Sequence, residues 1–131
     1  MSEITRIALV GHCGPDSAML KHAVQRAAPE ATVELITEDQ QLQRVVKPDA
    51  LLLVNRVLDG EFSVERGVEL IRELAGRPDG PRFMLVSNFD EAQQEAVEAG
   101  AYPGFGKQQA GQPAMQQRIE AALNGQAPQS Q

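Results

Sequence analysis

Glu95-Ala96-Val97-Glu98-Ala99-Gly100-Ala101-Tyr102-Pro103-Gly104-Phe105-Gly106-Lys107 reads as the end of a helix, a stop, and a short strand that delivers one lysine. Ala92, Ala96 and Ala99 recur at helical spacing, and Gly100 supplies the left-handed stop that closes such a helix. Upstream the same rhythm repeats. Residues 7–10, 32–36, 50–54 and 82–86 are short apolar runs, and 103–106 is a weaker fifth that belongs at a sheet edge because it carries Pro103. Amphipathic stretches separate them. The first has Leu20, Ala23, Val24 and Ala27 on one face, with Asp16 or Ser17 as its cap. In the second, Thr37 caps a turn with Leu42, Val45 and Val46 inward until Pro48. Val64, Val68, Ile71 and Ala75 mark the third, and the last opens at Pro113 and carries Met115, Ile119, Ala122 and Leu123 inward. Five such βα units predict a flavodoxin-like α/β fold, a five-stranded parallel sheet of order 2-1-3-4-5 with helices on both faces. One domain is expected over residues 1–124, followed by a polar, disordered tail at 125–131. Ligands of such a sheet bind beyond the carboxyl ends of the strands, so the functional question narrows to the five loop tips there.

Composition excludes several classes. With 131 residues, 42% of them hydrophobic, the chain has room for one full core and no second domain. A formal net charge of -6 offers no counterion-release gain to nucleic acid and no attraction to an anionic membrane. Protein or small-ligand partners suit it better. The apolar runs are far too short to cross a bilayer, and residues 1–6 lack a signal peptide's apolar core, so a cytoplasmic location is expected. The single cysteine, Cys13, rules out an internal disulfide and cannot alone build a zinc site.

Ala99-Gly100-Ala101 followed by Lys107, Ser87 ending the fourth strand, Pro48-Asp49 before the third, and Gly67-Val68-Glu69-Leu70-Ile71-Arg72 occur in an order that resembles bacterial response-regulator receiver domains. The resemblance runs from about Ile7 to Leu123. It implies a signal-transduction module of two-component, phosphorelay type. In that family adjacent acidic residues after the first strand hold magnesium, an aspartate ending the third strand takes the phosphoryl group, and the Ser/Thr and lysine grip it.

This chain departs from the pattern where the chemistry is done. Gly11 and His12 stand at the acid-pair positions, and magnesium depends on carboxylate oxygen. Asn55, or Val54 with a one-residue slip, stands at the phosphoacceptor position, and an amide cannot form an acyl phosphate. Gly104 replaces the aromatic that turns inward on activation, and the loop after Asn55 is about four residues longer than the family norm. Asp16 and Asp59 lie close enough in sequence to swing inward, or else cap a helix and make a turn. Ser87 and Lys107 remain as a switch or anion pocket, with Lys107 either binding an anion or pairing Asn55 and Ser87, or else kept as a structural lysine inherited with the fold. No cofactor and no catalysis are expected.

Two further readings attach to the first loop. Cys13, directly after a strand and before a helix, resembles the phosphocysteine site of sugar-phosphotransferase B components, which would make the chain a phosphotransfer protein. Pro15 and Asp16 hinder a phosphate cradle there. A redox-sensing thiol assisted by His12 is the other, and no second cysteine is present to resolve it. The reading favoured by the residues is a stand-alone pseudo-receiver that binds a protein partner or a second copy. The surface expected from the resemblance is the face of the fourth helix, fifth strand and fifth helix, with Gln93, Gln94, Tyr102, Phe105, Met115 and Gln116 contributing.

Overall fold

A computed structural model describes residues 4–125. Five parallel strands, β1 (Arg6–Val10), β2 (Thr32–Ile36), β3 (Ala50–Asn55), β4 (Arg82–Val86) and β5 (Tyr102–Phe105), form one sheet in the order β2-β1-β3-β4-β5. The helices are α1 (Gly14–Ala27), α2 (Asp39–Val45), α3 (Gly67–Leu74), α4 (Asp90–Ala99) and α5 (Pro113–Leu123), and a 3-10 turn spans Lys107–Gln109. The flavodoxin-like topology predicted from the rhythm of the sequence is the one observed.

The pleat divides the strand side chains between two cores. Ala8, Val10, Leu52, Val54, Phe83 and Leu85 point to one side, where α2, α3 and α4 close over them. Ile7, Leu9, Leu51, Leu53, Met84 and Val86 point to the other, under α1 and α5. β3, at the centre, is buried on both faces from Ala50 to Val54, which is why it reads as an unbroken apolar run rather than an alternating one. Gly100 adopts φ 119 as the left-handed stop of α4, as its position predicted.

Several boundaries differ from those expected. α1 begins at Gly14 with Cys13 as its N-cap, so Asp16 and Ser17 sit inside the first turn instead of capping it. Ser17 Oγ donates back to the His12 carbonyl at 3.1 Å. Glu38, not Thr37, precedes α2, because the Thr37 backbone N–H and hydroxyl are both directed to Gln41 Oε1, at 2.7 and 3.2 Å. Val64 lies outside α3, in a folded loop described below. The tail expected over 125–131 falls, apart from Gly125, outside the described residues.

Candidate functional site

The carboxyl ends of β1, β3 and β4 open toward the loops that follow them, and β3 ends on Asn55. Its side-chain amide is fully committed. Nδ2 donates to the carbonyls of Gly11 (2.9 Å) and Val57 (2.8 Å), while Oδ1 accepts from the Arg56 N–H at 3.0 Å. Asn55 is therefore a clamp between the β1 loop and the β3–α3 loop. A carboxylate has no hydrogen to offer those two carbonyls.

The long loop, residues 56–66, is built rather than slack. Val57 pairs antiparallel with Arg66 and Glu61 pairs parallel with Glu38. Leu58 N–H donates to the Glu65 carbonyl (2.9 Å), Glu61 N–H to Thr37 (2.8 Å), and Asp59 N–H to Gly11 (2.9 Å). This folds the loop across the ends of β1 and β2 and sets Leu58 directly over Gly11. Gly11 has φ 76, and a Cβ placed on it would lie 2.6 Å from Leu58 Cδ2. An acidic side chain at this position has neither the backbone conformation nor the space.

His12, beside it, is turned into the protein and is only 3% exposed. Nε2 lies 3.0 Å from the Leu53 carbonyl, which assigns the proton to Nε2, and Nδ1 is buried with no partner among the described residues. Burial pushes its pKa from 6.5 down to about 4; the Leu53 carbonyl opposes the shift and Lys107 adds to it. His12 is therefore a neutral core imidazole, placed where an acid-pair carboxylate was expected to be missing.

Lys107 does not pair with Asn55 or Ser87. Its ammonium meets Asp16 Oδ2 at 2.6 Å, bridging the start of α1 to the end of β5. The Lys107 hydrogen bond, and after it the Cys13 thiol, hold the Asp16 carboxyl below its usual range. Of the two carboxylates with the choice of swinging inward, Asp16 does reach this pocket, and its carboxylate is spent on the lysine. Asp59 is exposed on the outside of the loop, so it does not swing inward. Among the described residues no three His, Cys, Asp or Glu side chains converge on a common point. The residues at this end do not fit a magnesium ion.

Ser87 Oγ accepts from the Phe89 N–H at 3.1 Å. Next to it, Arg56 stacks on the Phe89 ring, 4.7 Å from guanidinium carbon to centroid, a pair not anticipated from the sequence because the loop's path was not legible.

No protein-family model matches this sequence, and no curated protein matches it. Solved structures do. The signal receiver domain of a DNA-binding response regulator from Colwellia psychrerythraea superposes with TM-score 0.68 at 17% identity, covering 91% of this chain and 98% of that one. The fold is that of a response-regulator receiver domain. The non-phosphorylated receiver domain of the stress response regulator RcsB from Escherichia coli gives 0.68 at 16% identity, over 97% of this chain and 99% of that one. A response regulator from Burkholderia pseudomallei, solved with a phosphorylated aspartic acid and a calcium ion, gives 0.61 at 18% identity over 91% of this chain and 66% of that one.

Against that receiver frame, the residues expected on the partner face need correcting. Phe105 is 1% exposed and Met115 equally buried, both in the core under α1 and α5, because the pleat of β5 and the inner face of α5 turn them inward. Tyr102 is half-buried against the same core. Gln93 is held inside the sheet edge: its Nε2 donates to Leu85 O (2.9 Å) and Ser87 O (3.1 Å), and its Oε1 accepts from Gly104 N–H (3.0 Å). It bridges β4 to β5 where their register shifts. Gln94, Val97 and Gln116 are exposed, and among the described residues no helix is long and apolar enough to cross a membrane.

Proposed function

We propose that this chain is a cytoplasmic signal-transduction module of receiver fold that works without accepting a phosphoryl group and acts by protein contact rather than catalysis. The observation that carries the reading is the Asn55 clamp, in which the amide at the phosphoacceptor position holds Gly11 and Val57 through hydrogens a carboxylate lacks. Leu58 over Gly11 and the Lys107–Asp16 pair support it, since the first crowds any acidic side chain at position 11 and the second engages the lysine that the resemblance assigns to the phosphoryl group. The contact surface is the α4–β5–α5 face, where a cleft of about 560 Å³ is bordered by Gln94, Val97, Gln108 and Arg118. It takes a protein partner or a second copy.

Intact-mass spectrometry after exposure to acetyl phosphate and magnesium tests the reading, with Cys13→Ser as a parallel sample. No mass gain is expected in either. An adduct that persists in Cys13→Ser overturns the proposal and points to a displaced aspartate; an adduct lost in Cys13→Ser overturns it in favour of phosphocysteine transfer. For the surface, Val97→Asp is expected to weaken self-association or partner capture while Asn55→Ala leaves it intact, and the reverse ranking removes the assignment.

A further inference from the structure

Between the pairs Met84–Tyr102 and Val86–Phe105, β5 spends one residue more than β4, and Pro103 in that stretch has no N–H to offer. The gap is filled from α4. Gln93 sends its amide between the two strands: Nε2 donates to the Leu85 and Ser87 carbonyls at 2.9 and 3.1 Å, and Oε1 accepts from the Gly104 N–H at 3.0 Å. Gly104 permits this because it is bare, since a Cβ on it would run into the Leu85 carbonyl oxygen and Gln93 Oε1. One carboxamide therefore ties a helix to both strands beneath it.

The β4–α4 loop is fastened at the same place. Ser87 N–H donates to the Phe105 carbonyl at 3.0 Å, the Ser87 carbonyl accepts from Gln93, and Ser87 Oγ accepts from the Phe89 N–H at 3.1 Å, just before α4 begins. A shift of this loop, or a roll of α4 over β5, breaks several of these hydrogen bonds together and leaves part-buried groups without partners. The cleft of about 560 Å³ on the α4–β5–α5 face has Ser87, Gln93 and Gly104 in its lining. They are buried or half-buried, under the exposed Gln94 and Val97, so the fastening lies in the floor of the cleft.

We infer that Gln93 is the positioning residue of the partner surface, a built-in lock that fixes α4 against β4 and β5 and so presents the face in one conformation at all times. A partner meets a preformed surface. Signalling through it is then regulated by how much of the protein is present and not by a change of its shape, because no second arrangement of the face is populated for a ligand to select. The inference rests on the α4–β5–α5 face being the contact surface, as proposed above, whereas the lock is read out without any partner.

Amide hydrogen exchange and nitrogen-15 relaxation dispersion test it, comparing the unaltered protein with Gln93→Met, which keeps the length and helical preference of the side chain and removes the amide. The quantity followed is Gly104 exchange relative to that of Leu53 in the central strand, a ratio that a loss of overall stability alone leaves in place. In the unaltered protein no millisecond exchange is expected at residues 87–90 or 104–106. In Gln93→Met the Gly104 amide is expected to exchange at least about tenfold faster relative to Leu53, as removal of a partner from buried polar groups does, and dispersion is expected at those residues. Ile71→Val, which trims the core on α3, is expected to leave the ratio unchanged. Should Gln93→Met not fold, Gln93→Asn serves: it keeps the amide, falls one methylene short of β5, and is expected to loosen the same residues. Millisecond exchange at 87–90 or 104–106 in the unaltered protein, an unchanged ratio in the Gln93 variant, or an equal change in Ile71→Val each overturns the lock. Val97→Asp is expected to leave the ratio unchanged while it weakens self-association or partner capture, so failure of the surface and failure of the lock are told apart.

Discussion

An amide and a carboxylate are nearly the same shape, so what separates them at position 55 is the hydrogens that reach the Gly11 and Val57 carbonyls. Asn55→Asp keeps the outline and replaces two attractions by two repulsions, and a half-buried group left unsatisfied costs about 1–3 kcal/mol. That substitution is expected to lower stability by about 2 kcal/mol and to leave the protein unmodified by acetyl phosphate. Urea unfolding with intact-mass analysis checks both, and an Asn55→Asp protein that is as stable as the original, or gains a phosphoryl group, refutes the clamp. His12 makes a different kind of prediction. Its folded pKa is about 4 against 6.5 in the unfolded chain, so the unfolded state binds the proton first. Stability from His12 is complete above about pH 6.5 and is lost as pH falls toward 4, amounting to about 2 kcal/mol by pH 5 and about 3 kcal/mol in full. Asp16, whose carboxyl is held low by Lys107, gives stability that is present above about pH 4 and lost only below it, so the two windows separate. Unfolding curves near pH 7.5 and pH 5 should therefore diverge in the unaltered protein and converge in His12→Gln, which retains a donor for Leu53. Equal pH sensitivity in the variant would assign the loss elsewhere.

The β3–α3 loop is the element that distinguishes this end of the sheet. It is held by backbone pairs to the β1 and β2 loops and brings Leu58 over a glycine in a left-handed conformation. Restoring an acid with Gly11→Asp meets both obstacles, the positive φ and the leucine, together worth about 1–3 kcal/mol. Adding Leu58→Ala removes only the steric part, so the double variant should recover a portion of the lost melting temperature and still bind no magnesium. If Leu58→Ala recovers nothing, the leucine does not cover Gly11 in solution. The sequence made the strands and the Gly100 stop legible, because these rest on local periodicity and on a single residue type. It did not make the loop's path legible. Pairings such as Glu38 with Glu61 and Lys107 with Asp16 join positions far apart in the chain, and nothing local in either partner announces the other. The same holds for Gln93, which looks like any exposed helical glutamine until the register shift between β4 and β5 leaves carbonyls and an N–H for it to bind. Phe105 belongs to a short edge strand whose pattern does not reveal which face is inward, whereas Met115 lies on the inward stripe that helical spacing gives it with Ile119 and Ala122, and only the family resemblance sets it on the partner face.

Across the whole molecule, one sheet separates two cores, and the proposed partner face straddles them. Ala92 and Ala96 of α4 belong to one core, while Tyr102, Phe105, Met115 and Ile119 belong to the other. A face built this way keeps its shape only if the two cores melt together. β3 provides the link, since Leu52 packs into the first and Leu53 into the second from adjacent positions on a fully buried strand. The chain has one tyrosine and no tryptophan, so Tyr102 fluorescence reports β5 alone while far-ultraviolet dichroism reports the whole fold. For a single domain under about 150 residues the two transitions should coincide. Leu52→Ala leaves a cavity on the side of the sheet away from Tyr102 and should cost about 2–5 kcal/mol, as buried leucine truncations do. If the molecule is one cooperative unit, the Tyr102 transition moves with the dichroism by the same amount. A Tyr102 transition that stays in place after Leu52→Ala would mean that β5 unfolds as its own unit, and the α4–β5–α5 face would then be two surfaces free to part rather than one preformed site.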